Sequence, residues 1–275
     1  RPNMKTNNID IINIINYLTD LINKSFKNNN VSIYIMGSLA RGGFSEIASD
    51  IDLGIVLKGS LDHVQKRITV ILTEAKKKFP GVKNNISVFW GSIESINGQI
   101  EGGRYPPFDR LDLINHALLL SGQDIRKLLI KPTKKELEIA SAIFSINNLA
   151  TKERVNEFFD CSSIIKKGLV YTTKTILFPA RFIYLEKTGE IAGNKESVRY
   201  YQYRFKGPSV KLIELGYFWR NNALPHDLNM ASHHISMGLR ELYINYINIY
   251  QQNMEKYNEI EIVDKLTQWK KEITA

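Results

Sequence analysis

The chain has 275 residues, of which 43% are hydrophobic and 24% are charged. This composition is typical of a globular protein and excludes collagen-like, disulfide-rich and wholly disordered classes. The single cysteine, Cys161, cannot form an internal disulfide, which favours a reducing, cytoplasmic compartment. The sequence contains no run of about 18 apolar residues, so we expect no transmembrane helix.

The formal net charge is +9, from 37 basic and 28 acidic side chains, and the basic excess is spread along the chain. A diffuse positive charge suits polyanionic partners such as nucleoside triphosphates or RNA. Solubility alone explains the same charge equally well, so the charge by itself does not decide between a polyanion-binding and a merely soluble protein.

The first part of the chain alternates between helical and extended patterns. Apolar residues at helical spacing predict helices over residues 8–27, 61–79 and 108–120. Short apolar runs bounded by turn residues predict strands over residues 31–36, 50–57 and 86–90. Glycine and proline are frequent over residues 97–107, which predicts a loop. Together these elements predict a small α/β domain with a mixed or mostly antiparallel sheet over residues 1–125.

Beyond this domain the pattern is almost entirely helical. The predicted helices cover residues 134–149, 152–187, 195–205, 210–220, 228–253 and 259–273. We therefore expect a protein of the α+β class, in which a helical bundle over residues 126–275 follows the mixed-sheet domain.

The clearest chemical signal lies between the first two predicted strands. The first strand leads into Gly37-Ser38, and the second begins with Asp50 and Asp52. Residues i and i+2 of a strand face the same way, so the two carboxylates project on one side. Two carboxylates this close repel each other unless a cation lies between them. Hard oxygen ligands of this kind suit Mg²⁺, which accepts phosphate oxygens as further ligands.

The segment before the two aspartates has features that suit an anion. Gly37 has no side chain and allows the backbone to approach a phosphate, and Ser38 offers a hydroxyl and exposed N–H groups. Arg41 lies between the Gly-Ser pair and the aspartates, where it is either a phosphate ligand or a solvent-facing loop residue. Taken together, these residues suggest metal-assisted nucleotidyl transfer.

This pattern resembles the signature of the DNA polymerase β-like nucleotidyltransferase superfamily, in which Gly-Ser, a spacer and Asp-x-Asp follow one another. The resemblance implies that Asp50 and Asp52 bind Mg²⁺ and that Gly37 and Ser38 bind the β/γ end of a nucleoside triphosphate. It further implies that a substrate hydroxyl attacks the α-phosphate and that pyrophosphate leaves.

Two later segments extend the resemblance to small-molecule nucleotidyltransferases. Residues 108–122 are similar to the helix that follows the third strand in those enzymes. Residues 180–195 are similar to the aminoglycoside (streptomycin/spectinomycin type) adenylyltransferases, in which an Arg-x-x-Tyr-x-x-x-x-Thr-Gly helix end precedes a lysine, here Lys195. This implies AMP transfer from ATP to a small hydroxylated acceptor such as an aminoglycoside, with the nucleotide in a cleft between the domains. Lys195 would then contact the triphosphate, although an ordinary lysine at a helix start explains it equally well.

The third predicted strand departs from the superfamily pattern. The superfamily usually has a third carboxylate there, as a base or a metal ligand. The corresponding residue here is Ser87 or else Phe89, and neither accepts a proton or binds Mg²⁺ as a carboxylate does. Glu94, just after the strand, is the nearest substitute, and we predict that it is the catalytic base.

Three functions agree with these observations. The first is AMP transfer to a small molecule; a cationic aminoglycoside would need an acidic pocket, and the acidic residues that could form it in the helical domain are Glu153, Glu157, Asp160, Glu186 and Glu190. The second is nucleotidyl transfer to tRNA or to a protein, which the net charge favours. The third is a degenerate member that binds nucleotide without turnover, for which the missing third carboxylate is the only support.

Overall fold

The computed structural model describes residues 3–275, with the backbone alone at residue 31. The chain divides into two compact units, Arg1–Pro132 and Thr133–Ala275. The sequence predicted a division after residue 125. The first unit extends past that residue, and Leu129 packs against one of its apolar clusters.

The first unit is built on a four-stranded mixed sheet with the strand order β3-β2-β1-β4. The strands are β1 (Asn30–Met36), β2 (Ile51–Leu57), β3 (Ile86–Gly91) and β4 (Leu118–Gly122). Strand β1 is antiparallel to both β2 and β4, whereas β2 and β3 are parallel. The predicted α+β class with a mixed sheet is therefore confirmed.

Helices cover both faces of this sheet. They are α1 (Ile9–Ser25), α2 (Gly37–Arg41), α3 (Val64–Lys78), α4 (Ile93–Ile96) and α5 (Pro107–His116), followed by a 3₁₀ turn over Arg126–Leu128. One face of the sheet carries aliphatic residues such as Ile33 and Leu53, which pack in one cluster with residues of α1 and α3. The other face carries Tyr34 and Phe89, which share a second cluster with Leu113 of α5. Because side chains alternate along a strand, Asp52 lies on this second face.

The end of the first unit differs from the sequence prediction. A helix was predicted over residues 108–120, but α5 ends at His116 and residues 118–122 form the edge strand β4. A short apolar run such as Leu118–Leu120 fits a helix or a strand equally well. These residues form a strand because they pair with β1, where Ile35 lies opposite Leu118.

The second unit is helical, as predicted. Its helices are α6 (Lys134–Leu149), α7 (Lys152–Glu157), α8 (Ser162–Lys166), α9 (Leu169–Thr188), α10 (Asn194–Arg204), α11 (Pro208–Asn222), α12 (Leu228–Lys256) and α13 (Ile260–Thr274). The single helix predicted over residues 152–187 is three helices: residues 158–161 separate α7 from α8, and Gly168, with a φ of +96°, separates α8 from α9. Among the described residues, no helix has the length and hydropathy needed to cross a membrane.

Candidate active site

Strands β1 and β2 bring the Gly-Ser turn beside the aspartate pair. Strand β1 ends at Met36, which lies opposite Asp52 in the antiparallel register. Helix α2 begins at the next residue, Gly37. The two halves of the sequence motif, which are separated along the chain, therefore meet at one end of the sheet.

Gly37 has a conformation and a neighbour that both require glycine. Its φ is +63°, in the left-handed region that residues with a side chain rarely adopt. A β-carbon at this position would also overlap the Oδ2 atom of Asp52. The absence of a side chain thus allows the Gly-Ser turn to pack directly against a candidate metal ligand.

The aspartates lie at the beginning of β2. Asp50 directly precedes the strand, Asp52 is its second residue, and both side chains are half-buried. The Asn84 side-chain amide donates hydrogen bonds to the carbonyl oxygens of Ser49 (2.8 Å) and Glu46 (3.0 Å). These bonds tie the loop before the aspartates to the segment that leads into β3, so the position of the pair does not depend on the loop alone.

The donor set fits Mg²⁺ that is bound together with phosphates. In the part of the chain that the structure describes, no group of three or more His, Cys, Asp and Glu side chains could hold a metal ion. Mg²⁺ is commonly bound by one or two carboxylates, with substrate phosphates and water as its other ligands. Asp50 and Asp52 match that arrangement, whereas a closed metal site made of protein ligands would need more donors.

The third strand places Ser87 next to the aspartate pair. Ser87 pairs with Asp52 in the parallel register of β2 and β3. Phe89, the other residue that the sequence left open, is buried and lies under the guanidinium of Arg104, 4.5 Å from its ring centroid. Ser87 therefore occupies the position beside Asp52, and β3 carries no carboxylate.

The structure does not bring Glu94 to this pair. Because β3 runs parallel to β2, its first residues lie near the aspartates and its last residue, Gly91, lies opposite Val56. At about 3.3 Å per residue, Gly91 is about 13 Å from Ser87 along the strand. Glu94 is exposed in α4, beyond that far end. Proximity in sequence to the third strand was misleading here because the direction of the strand carries the chain away from the site.

A third aspartate, Asp112, contacts the Gly-Ser turn. Its Oδ2 atom accepts a hydrogen bond of 2.9 Å from the backbone N–H of Gly37. Its Oδ1 atom accepts one of 2.6 Å from the guanidinium of Arg41. The predicted phosphate ligand Arg41 is thus in an ion pair, although its role with nucleotide stays a prediction. The sequence assigned no role to Asp112, although Asp112 lies within residues 108–122, the segment similar to a helix of small-molecule nucleotidyltransferases.

The other two residues predicted to bind nucleotide lie in different units. Ser38 is half-exposed in α2, directly after Gly37. Lys195 is exposed at the second residue of α10 in the helical unit. Their roles in nucleotide binding stay predictions.

The acidic residues proposed for a cationic acceptor are largely paired with cations of their own unit. Glu157 is buried and forms ion pairs with Lys167 (3.1 Å) and Arg154 (3.4 Å). Lys167 also pairs with Glu153 and lowers the pKa of that carboxyl group by a hydrogen bond. Glu186 lies 3.5 Å from Arg204. These three carboxylates therefore have structural partners, which the sequence alone did not indicate.

Residues 19–105 match the family model of the nucleotidyltransferase domain. The chain carries a nucleotidyltransferase domain. The matched segment contains the Gly-Ser turn, the two aspartates and Ser87. The prediction of a nucleotidyltransferase-type enzyme is confirmed at this level, whereas the matched family model does not specify the acceptor.

A solved structure shares the fold of this nucleotidyltransferase. It is the crystal structure of spectinomycin adenyltransferase AAD(9) from Enterococcus faecialis with ATP and spectinomycin, with a TM-score of 0.60 and 16% sequence identity. The similarity covers 82% of this chain and 97% of that chain. The predicted resemblance to this type of adenylyltransferase is therefore confirmed as a likeness of fold. Among curated protein sequences, no match was found.

Proposed function

We propose that this nucleotidyltransferase moves AMP from ATP onto a hydroxyl group of a small molecule and that the reaction requires Mg²⁺. The observation that carries the proposal is the packing of the Gly37 backbone against the Asp52 carboxylate, with Asp50 two residues away. The same residues lie within the segment that matches the nucleotidyltransferase family model.

In the proposed reaction, the acceptor hydroxyl oxygen forms a bond to the α-phosphorus of ATP. The bond between that phosphorus and the oxygen bridging to the β-phosphate breaks, and pyrophosphate leaves with its electron pair. The hydroxyl proton passes to water. Asp50 and Asp52 would hold Mg²⁺, which neutralises phosphate charge when it is bound.

The residues around the aspartates contribute positioning rather than a strong base. Ser38 is half-exposed at the turn and offers its hydroxyl to the phosphates. Ser87, beside Asp52, can form hydrogen bonds but cannot accept the acceptor proton as a carboxylate would. Nucleotidyl transfer at this site would therefore depend on orientation and charge neutralisation, two effects that supply much of the rate enhancement in many enzymes.

One observation supports a small acceptor and ATP as donor. The similar spectinomycin adenyltransferase was solved with ATP and spectinomycin. We therefore propose a small hydroxylated acceptor, of which spectinomycin is the first to test.

A polyanionic acceptor is the second candidate, because the chain carries a formal net charge of +9. Transfer to the end of a tRNA would make direct use of this charge. The two candidates predict different labelled products, so one experiment separates them.

The test uses ATP labelled at the α-phosphate, the full chain and Mg²⁺, with spectinomycin, streptomycin, total tRNA and cell protein in separate reactions. We expect label on a small molecule, none with EDTA, and none with the Asp52→Asn variant. Label on tRNA or on protein would show that the acceptor is that macromolecule and not a small molecule. The absence of label in all four reactions, together with the absence of Mg²⁺-dependent ATP binding, would contradict nucleotidyl transfer itself.

A further inference from the structure

Asp112 makes two contacts at once with the Gly-Ser turn. One carboxylate oxygen accepts from the Gly37 N–H, at the start of α2, and the other accepts from Arg41, at the end of α2. Asp112 itself comes from α5, which packs on the face of the sheet that carries Asp52. One side chain therefore holds both ends of the short helix that follows β1.

The burial of this pair makes the contact energetically important. Asp112 is 4% exposed. A buried carboxylate is costly unless it is paired and hydrogen-bonded, and both conditions are met here. The guanidinium of Arg41 is almost as buried, and its Nε atom has no hydrogen-bond partner among the described residues. Loss of the Asp112 charge would leave Arg41 as a buried cation without its partner.

The contact reaches the candidate metal ligand through Gly37. The backbone of Gly37 lies against the Asp52 carboxylate on one side, and its N–H bonds Asp112 on the other. A shift of the turn would therefore change the space in which Asp52 places its carboxylate. Small errors of position at a reacting centre have large effects, since about 1 Å can cost about 10²-fold in rate.

We propose that Asp112 is a positioning residue, which holds the Gly-Ser turn against Asp52 and thereby sets the geometry of the Mg²⁺–ATP site. The expected effect on ATP binding rests on the proposed function, whereas the contact of Asp112 with Gly37 can be tested separately. Asp112 acts through Gly37 and Arg41, and the role assigned to it involves no contact with substrate.

The first measurement is amide hydrogen exchange of the full chain, read on peptides that contain residues 37–41. In the Asp112→Asn variant we expect exchange at these amides to be about tenfold faster or more, because a charge-assisted hydrogen bond is replaced by a weaker one. The matched control is Asp124→Asn. Asp124 also pairs with an arginine, Arg126 at 2.7 Å, but it follows Gly122, the last residue of β4, which lies opposite Ser32, four residues before the end of β1.

The second measurement is the affinity for ATP in the presence of Mg²⁺, by isothermal titration calorimetry. We expect Asp112→Asn to bind Mg²⁺–ATP about tenfold more weakly or worse, and Asp124→Asn to bind it as the wild type does. Should Asp112→Asn fail to fold, the double variant Asp112→Leu with Arg41→Met replaces the whole pair by apolar residues, an exchange that buried ion pairs often tolerate. It should fold and show the same two defects.

The outcomes separate the two proposals. Unchanged exchange over residues 37–41 in a folded Asp112 variant would show that Asp112 does not hold the Gly-Ser turn, and it overturns the proposal. Faster exchange with unchanged Mg²⁺–ATP affinity shows a structural contact only and overturns the positioning role. A wild-type chain that binds no Mg²⁺–ATP contradicts the proposed function and removes the positioning role with it, while the exchange result still decides whether Asp112 holds the turn.

Discussion

The α-carbon of Gly37 lies so close to the carboxylate of Asp52 that a β-carbon on residue 37 would overlap the Oδ2 atom. Gly37 directly follows β1 and Asp52 is the second residue of β2, so this contact joins the two parts of the sequence motif. The φ of +63° at Gly37 adds a second requirement for glycine. Mutation can separate the effect of the contact with Asp52 from the effect of the positive φ.

We expect Gly37→Ala to reduce nucleotidyl transfer by about 10²-fold or more, because the new methyl group displaces the Asp52 carboxylate. The free energy of unfolding should fall by about 1–3 kcal/mol from the strained backbone. Gly43→Ala is the control: its φ is +76°, but no atom lies within 4 Å of its added β-carbon. Equal losses of activity in the two variants would show that backbone strain, and not the contact with Asp52, limits activity.

Asp50→Asn and Asp52→Asn should each abolish Mg²⁺-dependent transfer while the chain stays folded. Each variant removes one proposed metal ligand, and it also relieves the repulsion between two neighbouring carboxylates, so stability should not fall much. The assay is label transfer from ATP, with thermal unfolding as the check on folding. Asp62→Asn, at an exposed acid shortly after β2, should retain full activity. Normal turnover by either pair variant would refute the assignment of the site.

Ser87→Asp should raise the rate of transfer, because it introduces a carboxylate at the strand position beside Asp52. A positioned base supplies about 10²–10⁴-fold in rate, which sets the upper limit of the gain. The rate of the variant should increase with pH as the new carboxyl group ionises, since only the ionised form accepts a proton. A slower enzyme with unchanged Mg²⁺–ATP affinity would show that this position is not a place for a base.

Glu94→Gln serves as the matched control for Ser87→Asp. Glu94 is exposed beyond the far end of β3, so its substitution should leave the transfer rate within about twofold of the wild type, as surface changes away from a site usually do. A large loss would mean that Glu94 moves to the site during turnover, contrary to the position in this structure.

Glu157→Gln should lower the free energy of unfolding by about 2 kcal/mol, because Arg154 and Lys167 lose a buried charged partner. Urea denaturation measures the change. Glu153→Gln is the comparison, since its side chain is 74% exposed and shares the partner Lys167; exposed pairs contribute little, so its stability should hardly change. The prediction rests on the deeper burial of Glu157, and a larger loss of stability in Glu153→Gln than in Glu157→Gln would contradict it.

Local spacing was sufficient to predict that the chain is an enzyme of the nucleotidyltransferase type. Gly37-Ser38 after a strand and Asp50-x-Asp52 at the start of the next are patterns of neighbouring residues, and side-chain alternation along a strand is a local property of the backbone. The predicted α+β class and the mixed sheet could be inferred for the same reason, because helical and extended periodicities are visible within each segment.

Tertiary structure decided which distant residues share the site. The parallel pairing of β3 with β2 places Ser87 beside Asp52 and takes Glu94 to the other end of the sheet. The packing of α5 brings Asp112 to Gly37, a residue 75 positions away in the chain. Neither relationship follows from local periodicity, because both depend on the direction in which strands pair and on the face of the sheet that a helix covers. Local patterns were therefore enough to predict a nucleotidyltransferase domain, whereas the long-range packing of strands and helices places Ser87 and Asp112 around its candidate site.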